Sequence, residues 1–167
     1  MTAVRPLRVG VSELLAHPGT RRAFDDQVEL ADLAISTAAV TPGTSIDIHL
    51  VVESIGGPVT ATGTVGASWT GACRRCLETV SGEAQVSVRE IFEAHPTEGE
   101  TYPLTGDHID LEPMVRDAVL LSLPLAPLCG PDCQGPAPEA FPTGPPADDA
   151  VPIDPRWAAL GDLDFGN

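Results

Sequence analysis

The chain has 167 residues, enough for one domain with a tail, and its 43% hydrophobic and 20% charged residues exclude wholesale disorder. Its 24 acidic and nine basic residues give a net charge of −15, which argues against tight nucleic-acid binding by the chain alone. Residues 90–167 hold 15 of the acids and only two arginines. This acidic half favours a basic protein partner, and the alternative is a charge that serves solubility alone.

The N-terminal part of the chain predicts a short helix and no targeting segment. Residues 1–19 lack the apolar core of a signal peptide, and no apolar run is long enough for a membrane span. We therefore expect a cytoplasmic protein without a membrane partner, whose cysteines stay reduced. Ser12 is expected to cap a helix over residues 13–16, which His17–Gly19 ends.

The middle of the chain alternates like a set of half-buried strands. The first alternating segment runs from Ile46 to Val51, and a Gly-Gly-Pro turn at 56–58 follows it. Two further segments are separated by residues 73–76, and their inward residues are Val59, Ala61, Val65, Ala67, Trp69, Val80, Ala84, Val86 and Val88. Short turns between such strands predict an antiparallel meander with one wet face, and leave open whether the sheet closes into a barrel.

A helix and a tail complete the predicted architecture. After an acidic loop at 95–108, Asp110 is expected to cap an apolar helix that Pro124 ends and that packs on the inner face of the sheet. The fold class is α+β: a curved, barrel-like antiparallel sheet with a packed helix over residues 1–133. A proline-rich linker over 134–152 and a short C-terminal helix or tail over 153–167, with Asp154 as its cap, follow.

Four cysteines form two closely spaced pairs, Cys73 with Cys76 and Cys129 with Cys133. A structural zinc ion takes four soft donors in a tetrahedron, and a C-x2-C turn presents two thiolates on one knuckle. The first pair lies at a predicted hairpin tip, so a zinc site would join that tip to the segment after the helix. Two alternatives remain: ordinary reduced thiols, or a redox pair formed by Cys73 and Cys76 without the βαβ setting of thioredoxin-like motifs.

Two arginine doublets are the candidate contacts to RNA or to a partner: Arg74 with Arg75, and Arg21 with Arg22. Guanidinium groups bind phosphates and carboxylates, although a doublet on an exposed turn is also compatible with simple solvation. The chain contains no phosphate-binding loop and no recognisable nucleophile, so we expect no enzyme, no catalytic residue and no small-molecule substrate.

Five segments in order carry a family resemblance: 14–19, 69–78 with its Cys-x-Arg-Cys-Leu-Glu block, 110–124 with Val-Arg-Asp-Ala, 127–135 and 154–156. Together they resemble the YceD family, small bacterial and plastid proteins implicated in the accumulation of large-subunit ribosomal RNA. The resemblance implies a non-enzymatic factor in the synthesis, processing or stability of that RNA and in ribosome assembly. Its partner would be a basic ribosomal protein or an RNA-processing factor, with weak or indirect RNA contact.

The chain departs from the family at the position of a later cysteine pair. Ala137 and Ala140 stand where the family commonly has two further thiols. A family metal site that used that pair would be lost here, whereas a site made of Cys73, Cys76, Cys129 and Cys133 would be retained. The alternative function from a different class is a zinc- or thiol-dependent redox or regulatory module.

Overall fold

A computed structural model describes residues 7–140 and residue 156 of the chain. The described part contains eight strands and two helices. In chain order they are β1 (Arg8–Gly10), α1 (Ser12–Ala16), β2 (Arg21–Val28), β3 (Ala38–Val40), β4 (Ile46–Ser54), β5 (Val59–Ala72), β6 (Thr79–Glu93), β7 (Tyr102–Thr105), β8 (His108–Asp110) and α2 (Glu112–Ser122).

The strands form one curled sheet with the order β1-β8-β7-β6-β5-β4-β2, and β3 pairs with β5 beyond the end of β4. The prediction of a wholly antiparallel sheet is wrong, because β6 and β7 pair in parallel at Phe92–Tyr102 and Glu93–Pro103. The loop between them turns back on itself, since the N–H groups of Glu100 and Thr101 both donate to the Thr97 carbonyl. The predicted curvature is confirmed as a half-barrel of mixed strands.

The inner face of the sheet is apolar, as the alternation predicts. Val59, Ala61, Val65 and Ala67 are buried, and so are Ala84 and Val88, whereas Trp69, Val80 and Val86 are half-buried. α2 adds Met114, Val115, Ala118 and Val119 to the same core, which confirms the prediction of a helix packed on the sheet. Burial of this apolar surface is the main force that holds the domain together.

The two helix caps that are predicted within the described residues, Ser12 and Asp110, need correction. Ser12 lies inside α1, and the helix makes no side-chain cap bond because Val11 occupies the capping position. α2 begins one residue later than expected, after Leu111, although the Asp110 carboxylate still accepts the N–H of Glu112 at 3.0 Å. That bond satisfies one of the free N–H groups in the first turn of the helix.

The proposed division into a domain, a linker and a tail stays a prediction. Only residues 134–140 of the linker are described, and the expected helix over 153–167 lies outside the described residues apart from Arg156. In the part of the chain that the structure describes, no helix has the length and apolar character needed to cross a membrane.

Candidate metal centre

The first cysteine pair lies at the tip of the β5–β6 hairpin, as predicted. The N–H of Cys73 donates to the Glu78 carbonyl at 2.8 Å, and the N–H of Leu77 donates to the Cys73 carbonyl at 2.9 Å. These bonds close a compact turn that continues the pairing of Ala72 with Thr79. The turn buries Cys73 and leaves Cys76 half-buried.

The second pair reaches this tip through two contacts that the spacing of the cysteines does not reveal. The Thr37 hydroxyl donates to the Pro124 carbonyl at 2.9 Å, which fixes the chain where α2 ends. The backbone N–H of Arg74 then donates to the Pro127 carbonyl at 2.9 Å. Together they carry the segment after α2 across to the hairpin tip.

The four sulfurs form one compact cluster, with all Sγ atoms within 4.8 Å of one another. The Sγ atoms of Cys73 and Cys133 lie 3.8 Å apart, and those of Cys76 and Cys129 lie 3.7 Å apart. Four thiolates at the usual Zn–S distance of about 2.3 Å occupy tetrahedron corners about 3.8 Å apart. The donor set and these two distances are therefore compatible with a structural zinc ion.

The cluster favours the thiolate of Cys73 and disfavours that of Cys129. The backbone N–H groups of Cys76, Arg75 and Cys129 face the Cys73 sulfur and lower the pKa of that thiol to about 6. The neighbouring thiols of Cys133 and Cys76 raise the pKa of Cys129 to about 12. Crowded sulfurs disfavour several negative charges at once, which is the repulsion that a bound divalent cation removes.

Leu77 holds a strained position directly after this pair. Its φ is +64°, in the left-handed region that disfavours side chains, and its side chain is 71% exposed. The N–H of Glu78 faces the Cys76 sulfur and lowers the pKa of that thiol, but burial and the thiols of Cys73 and Cys133 outweigh this bond, so the pKa of Cys76 is raised overall. The strain at Leu77 thus serves the geometry of the cluster.

We expect Leu77→Gly to raise the free energy of unfolding by about 0.5–1 kcal/mol. Glycine adopts a positive φ freely, and relief of the strain outweighs the extra entropy of the unfolded chain. Urea unfolding measures the difference. Leu77→Ala is the control, because it removes the exposed leucine but keeps the strain; equal stability of the two variants would contradict this account.

The structure does not bring the two arginine doublets together. Arg21 forms an ion pair with Glu53 at 3.0 Å, and Arg22 donates to the Gly10 carbonyl at 2.6 Å. In the sheet, Glu53 pairs with Thr60 near the start of β5, whereas Arg74 and Arg75 follow the far end of that strand. The contact of these four arginines with RNA or a partner stays a prediction. It now concerns two separate surfaces, one at each end of β5.

Arg75 has a role that the sequence did not reveal. Its guanidinium donates to the carbonyls of Pro131 and Cys133 at 3.3 and 3.1 Å, so it braces the second cysteine loop against the first. The only sign of this role in the sequence was the position of Arg75 between Cys73 and Cys76. The cleft beside it is lined by residues 131–136.

Ala137 and Ala140, which stand at the later cysteine positions of the family, offer no ligand atom to the cluster. The N–H of Ala140 donates to the Ala137 carbonyl at 3.1 Å in a simple turn. The four cysteines that remain are the ones that meet. Loss of the later pair therefore leaves four cysteines, the number that a tetrahedral site needs.

The fold and this site together define a small, predominantly β domain with a four-cysteine cluster that is compatible with metal binding. Residues 61–164 match the family described as the large ribosomal RNA subunit accumulation protein YceD. The chain belongs to the YceD family, and that description assigns the family to the accumulation of large-subunit ribosomal RNA.

Comparison with curated proteins finds relatives in mycobacteria. Uncharacterized proteins of Mycobacterium tuberculosis and Mycobacterium bovis are 37% identical over 169 residues, which covers 95% of this chain and 81% of each relative. An uncharacterized protein of Mycobacterium leprae is 34% identical over 174 residues, or 96% of this chain and 78% of the relative. No solved structure matches the chain significantly.

Proposed function

We propose that this protein is a non-enzymatic, cytoplasmic factor that supports the accumulation of large-subunit ribosomal RNA by binding a basic protein partner. The observation that carries the proposal is the pairing of that family membership with the charge distribution. Residues 90–167 hold 15 acids against two arginines, a composition that repels RNA phosphates and attracts a basic ribosomal protein or RNA-processing factor.

The proposal includes a structural zinc ion held by Cys73, Cys76, Cys129 and Cys133. The support is the spacing of the four sulfurs, which all lie within 4.8 Å of one another, with two pairs at the separation of tetrahedron corners. Zinc would supply no reaction here, since four cysteine ligands leave no open position for a substrate. It would fix the hairpin tip to the segment after α2.

Depletion of the protein, followed by measurement of ribosomal subunits and large-subunit RNA, tests this function. We expect less large-subunit RNA relative to small-subunit RNA, restored by the full chain. Affinity purification at low and high salt tests the electrostatic attachment, because exposed ion pairs weaken when salt screens them. An unchanged RNA ratio after depletion would contradict the proposed function.

A redox role for Cys73 and Cys76 predicts a different chemistry. Sulfur contacts of 3.8 and 3.7 Å also join the two loops, Cys73 to Cys133 and Cys76 to Cys129, so the Cys73–Cys76 pair does not stand apart from the other two thiols. Zinc analysis combined with thiol titration separates the two functions. Stoichiometric zinc with four protected thiols supports the structural site, whereas a readily oxidised Cys73–Cys76 pair supports the redox module.

We expect Arg75→Gln to weaken zinc binding about tenfold, because groups that orient metal ligands contribute 10–100-fold to metal affinity. The substitution removes the two bonds to the Pro131 and Cys133 carbonyls. Competition with a chromogenic zinc chelator measures the change. Arg74→Gln is the matched control, since the structure gives the Arg74 side chain no partner among the described residues; a similar loss in both variants would show a charge effect instead of a brace.

A further inference from the structure

A cleft of about 530 Å³ lies between β6 and α2, far along the sheet from the cysteines. Its lining residues are Glu90, Gly99, Glu100, Thr101, Tyr102, Asp117, Leu120 and Leu121. Three of them carry carboxylates and none is basic. Three of the 15 acids in residues 90–167 thus line one concave surface without a basic residue beside them.

The carboxylates inside the cleft disfavour any additional negatively charged group there. The Tyr102 hydroxyl donates to the Asp117 carboxylate at 2.8 Å, and the Tyr102 ring packs against Phe92 with centroids 5.4 Å apart. Burial and the carboxylates of Asp117 and Glu90 raise the pKa of Tyr102, because an ionised phenol would lie among like charges. Cationic groups are therefore the ones this surface attracts.

One wall of the cleft is apolar and open to solvent. Leu121, in the last turn of α2, is 87% exposed, and Leu120 beside it is half-buried. An exposed leucine alone is ordinary on a protein surface. Beside three carboxylates and an aromatic ring, it adds an apolar contact for a ligand that also carries positive charge.

The same cleft borders an unpaired strand edge. β6 pairs with β5 along Thr79–Phe92, but on its other side it pairs with β7 only at Phe92 and Glu93. The turn bond between Cys73 and Glu78 sets the alternation of the ladder, so the odd-numbered residues from Thr79 to Arg89 direct their N–H and C=O groups to the free side. Among the described residues, no other strand covers these groups.

The edge of β6 is only partly protected. β6 contains no proline, and within residues 79–91 its charged side chains are Glu83, Arg89 and Glu90. A long edge of this kind is a template for pairing with another chain. Addition of an extended segment to such an edge is a common mode of peptide recognition, in which main-chain bonds give affinity and side-chain pockets give specificity.

We propose that the open edge of β6 and the acidic cleft together bind a basic, extended polypeptide segment. The segment adds as a strand beside residues 79–89, places arginine or lysine side chains near Glu90, Glu100 and Asp117, and packs an apolar residue on Leu121. This site rests on the proposed function, because it says where the basic partner binds. An RNA strand is disfavoured, since its phosphates would meet three carboxylates.

The first test uses the full chain and a fluorescent peptide that alternates arginine and valine, with binding followed by anisotropy. We expect the variant Glu90→Gln, Glu100→Gln, Asp117→Asn to bind it about tenfold more weakly, since each partly exposed ion pair contributes a few tenths to one kcal/mol. The control variant Glu13→Gln, Glu29→Gln, Glu139→Gln makes the same charge change at exposed positions elsewhere. Equal weakening in both variants would show attraction to net charge and overturn the site.

The second test addresses the strand edge. A peptide of the same sequence, N-methylated at alternate residues, keeps its charges but loses half of its main-chain donors, and we expect about tenfold weaker binding. Ser87→Pro removes one N–H that faces the free side, which an edge strand tolerates, and Ser87→Ala is its control. If the methylated peptide binds as tightly as the unmodified one, strand addition is overturned. This result does not depend on whether the Ser87→Pro variant folds.

The third test separates the site from the function. The acidic-cleft variant, which should bind the peptide poorly, is introduced into cells depleted of the protein. Failure to restore large-subunit RNA supports the site, whereas full restoration overturns it and leaves the proposed function intact. Unchanged RNA in the depleted cells overturns the proposed function itself, and binding of single-stranded RNA at the cleft in place of the peptide would overturn the choice of a polypeptide.

Discussion

Cys129→Ser is expected to release zinc and to lower the free energy of unfolding by about 3 kcal/mol or more. Structural zinc contributes directly to folding free energy, because the unfolded chain does not hold the ligands together. Cys129 is the exposed member of the cluster, so the serine hydroxyl stays solvated and the loss reflects the missing ligand alone. For a domain of this size the melting temperature should fall by roughly 10 °C.

Zinc content and urea unfolding measure this effect on the same preparation. Ala126→Ser is the matched control, since it adds the same hydroxyl at an exposed position of the same segment and removes no ligand. The native chain treated with a strong chelator should unfold at the same urea concentration as Cys129→Ser. Retention of one zinc per chain by the variant, or full stability of the chelated native chain, would contradict a structural site.

The sheet should survive the loss of metal. Its largest fully buried side chains include Phe92, Ile46 and Ile48, which lie in the strands and not in the cysteine loops. We therefore expect far-ultraviolet circular dichroism to keep its β character while the segment after α2 detaches from the hairpin tip. Local loss of structure with an intact core is the usual behaviour of regions that have few apolar contacts.

The faces of the long strands could be predicted from the sequence because one face is buried and the other is wet. From Val59 to Ala67 the apolar residues recur at every second position, and burial follows the same period. The direction of pairing has no such signal. Alternation is the same in parallel and antiparallel neighbours, so the parallel pairing of Phe92 with Tyr102 could not be predicted.

The four candidate metal ligands could be predicted from the sequence, but the way in which the fold brings them together could not. Cysteine spacing indicates a knuckle wherever it occurs, whereas the approach of the second pair depends on contacts between distant parts of the chain. Thr37 and Pro124, which make one of these contacts, are 87 residues apart. The acidic cleft is similar, because Glu90 and Asp117 become neighbours only when α2 packs on the sheet.

Gly63 is a further residue whose role the alternation conceals, since a glycine on the inner face looks like a gap in the apolar stripe. In the β4–β5 register it pairs with Leu50, and a Cβ built on it would lie 2.0 Å from the His49 carbonyl oxygen. The same Cβ would lie 2.9 Å from the Leu50 Cα. Both neighbours are backbone atoms, so a side-chain rotation cannot relieve the contact.

Gly63→Ala is therefore expected to lower the free energy of unfolding by about 3 kcal/mol or more, because β4 and β5 must separate to admit one methyl group. Gly66→Ala, three residues further along β5, is the control. Its Cβ would meet nothing closer than the Ala84 carbonyl oxygen at 3.7 Å, an ordinary contact, so its stability should change by less than about 1 kcal/mol.

Urea unfolding of the two variants separates close packing from a general intolerance of side chains in β5. If both alanine variants unfold at the urea concentration of the native chain, the close approach of β4 at Gly63 is wrong. Zinc content adds a second readout, since β5 leads directly into Cys73 at the hairpin tip. A Gly63→Ala chain that loses stability yet keeps its zinc would show that the metal centre holds together while the sheet that carries it is weakened.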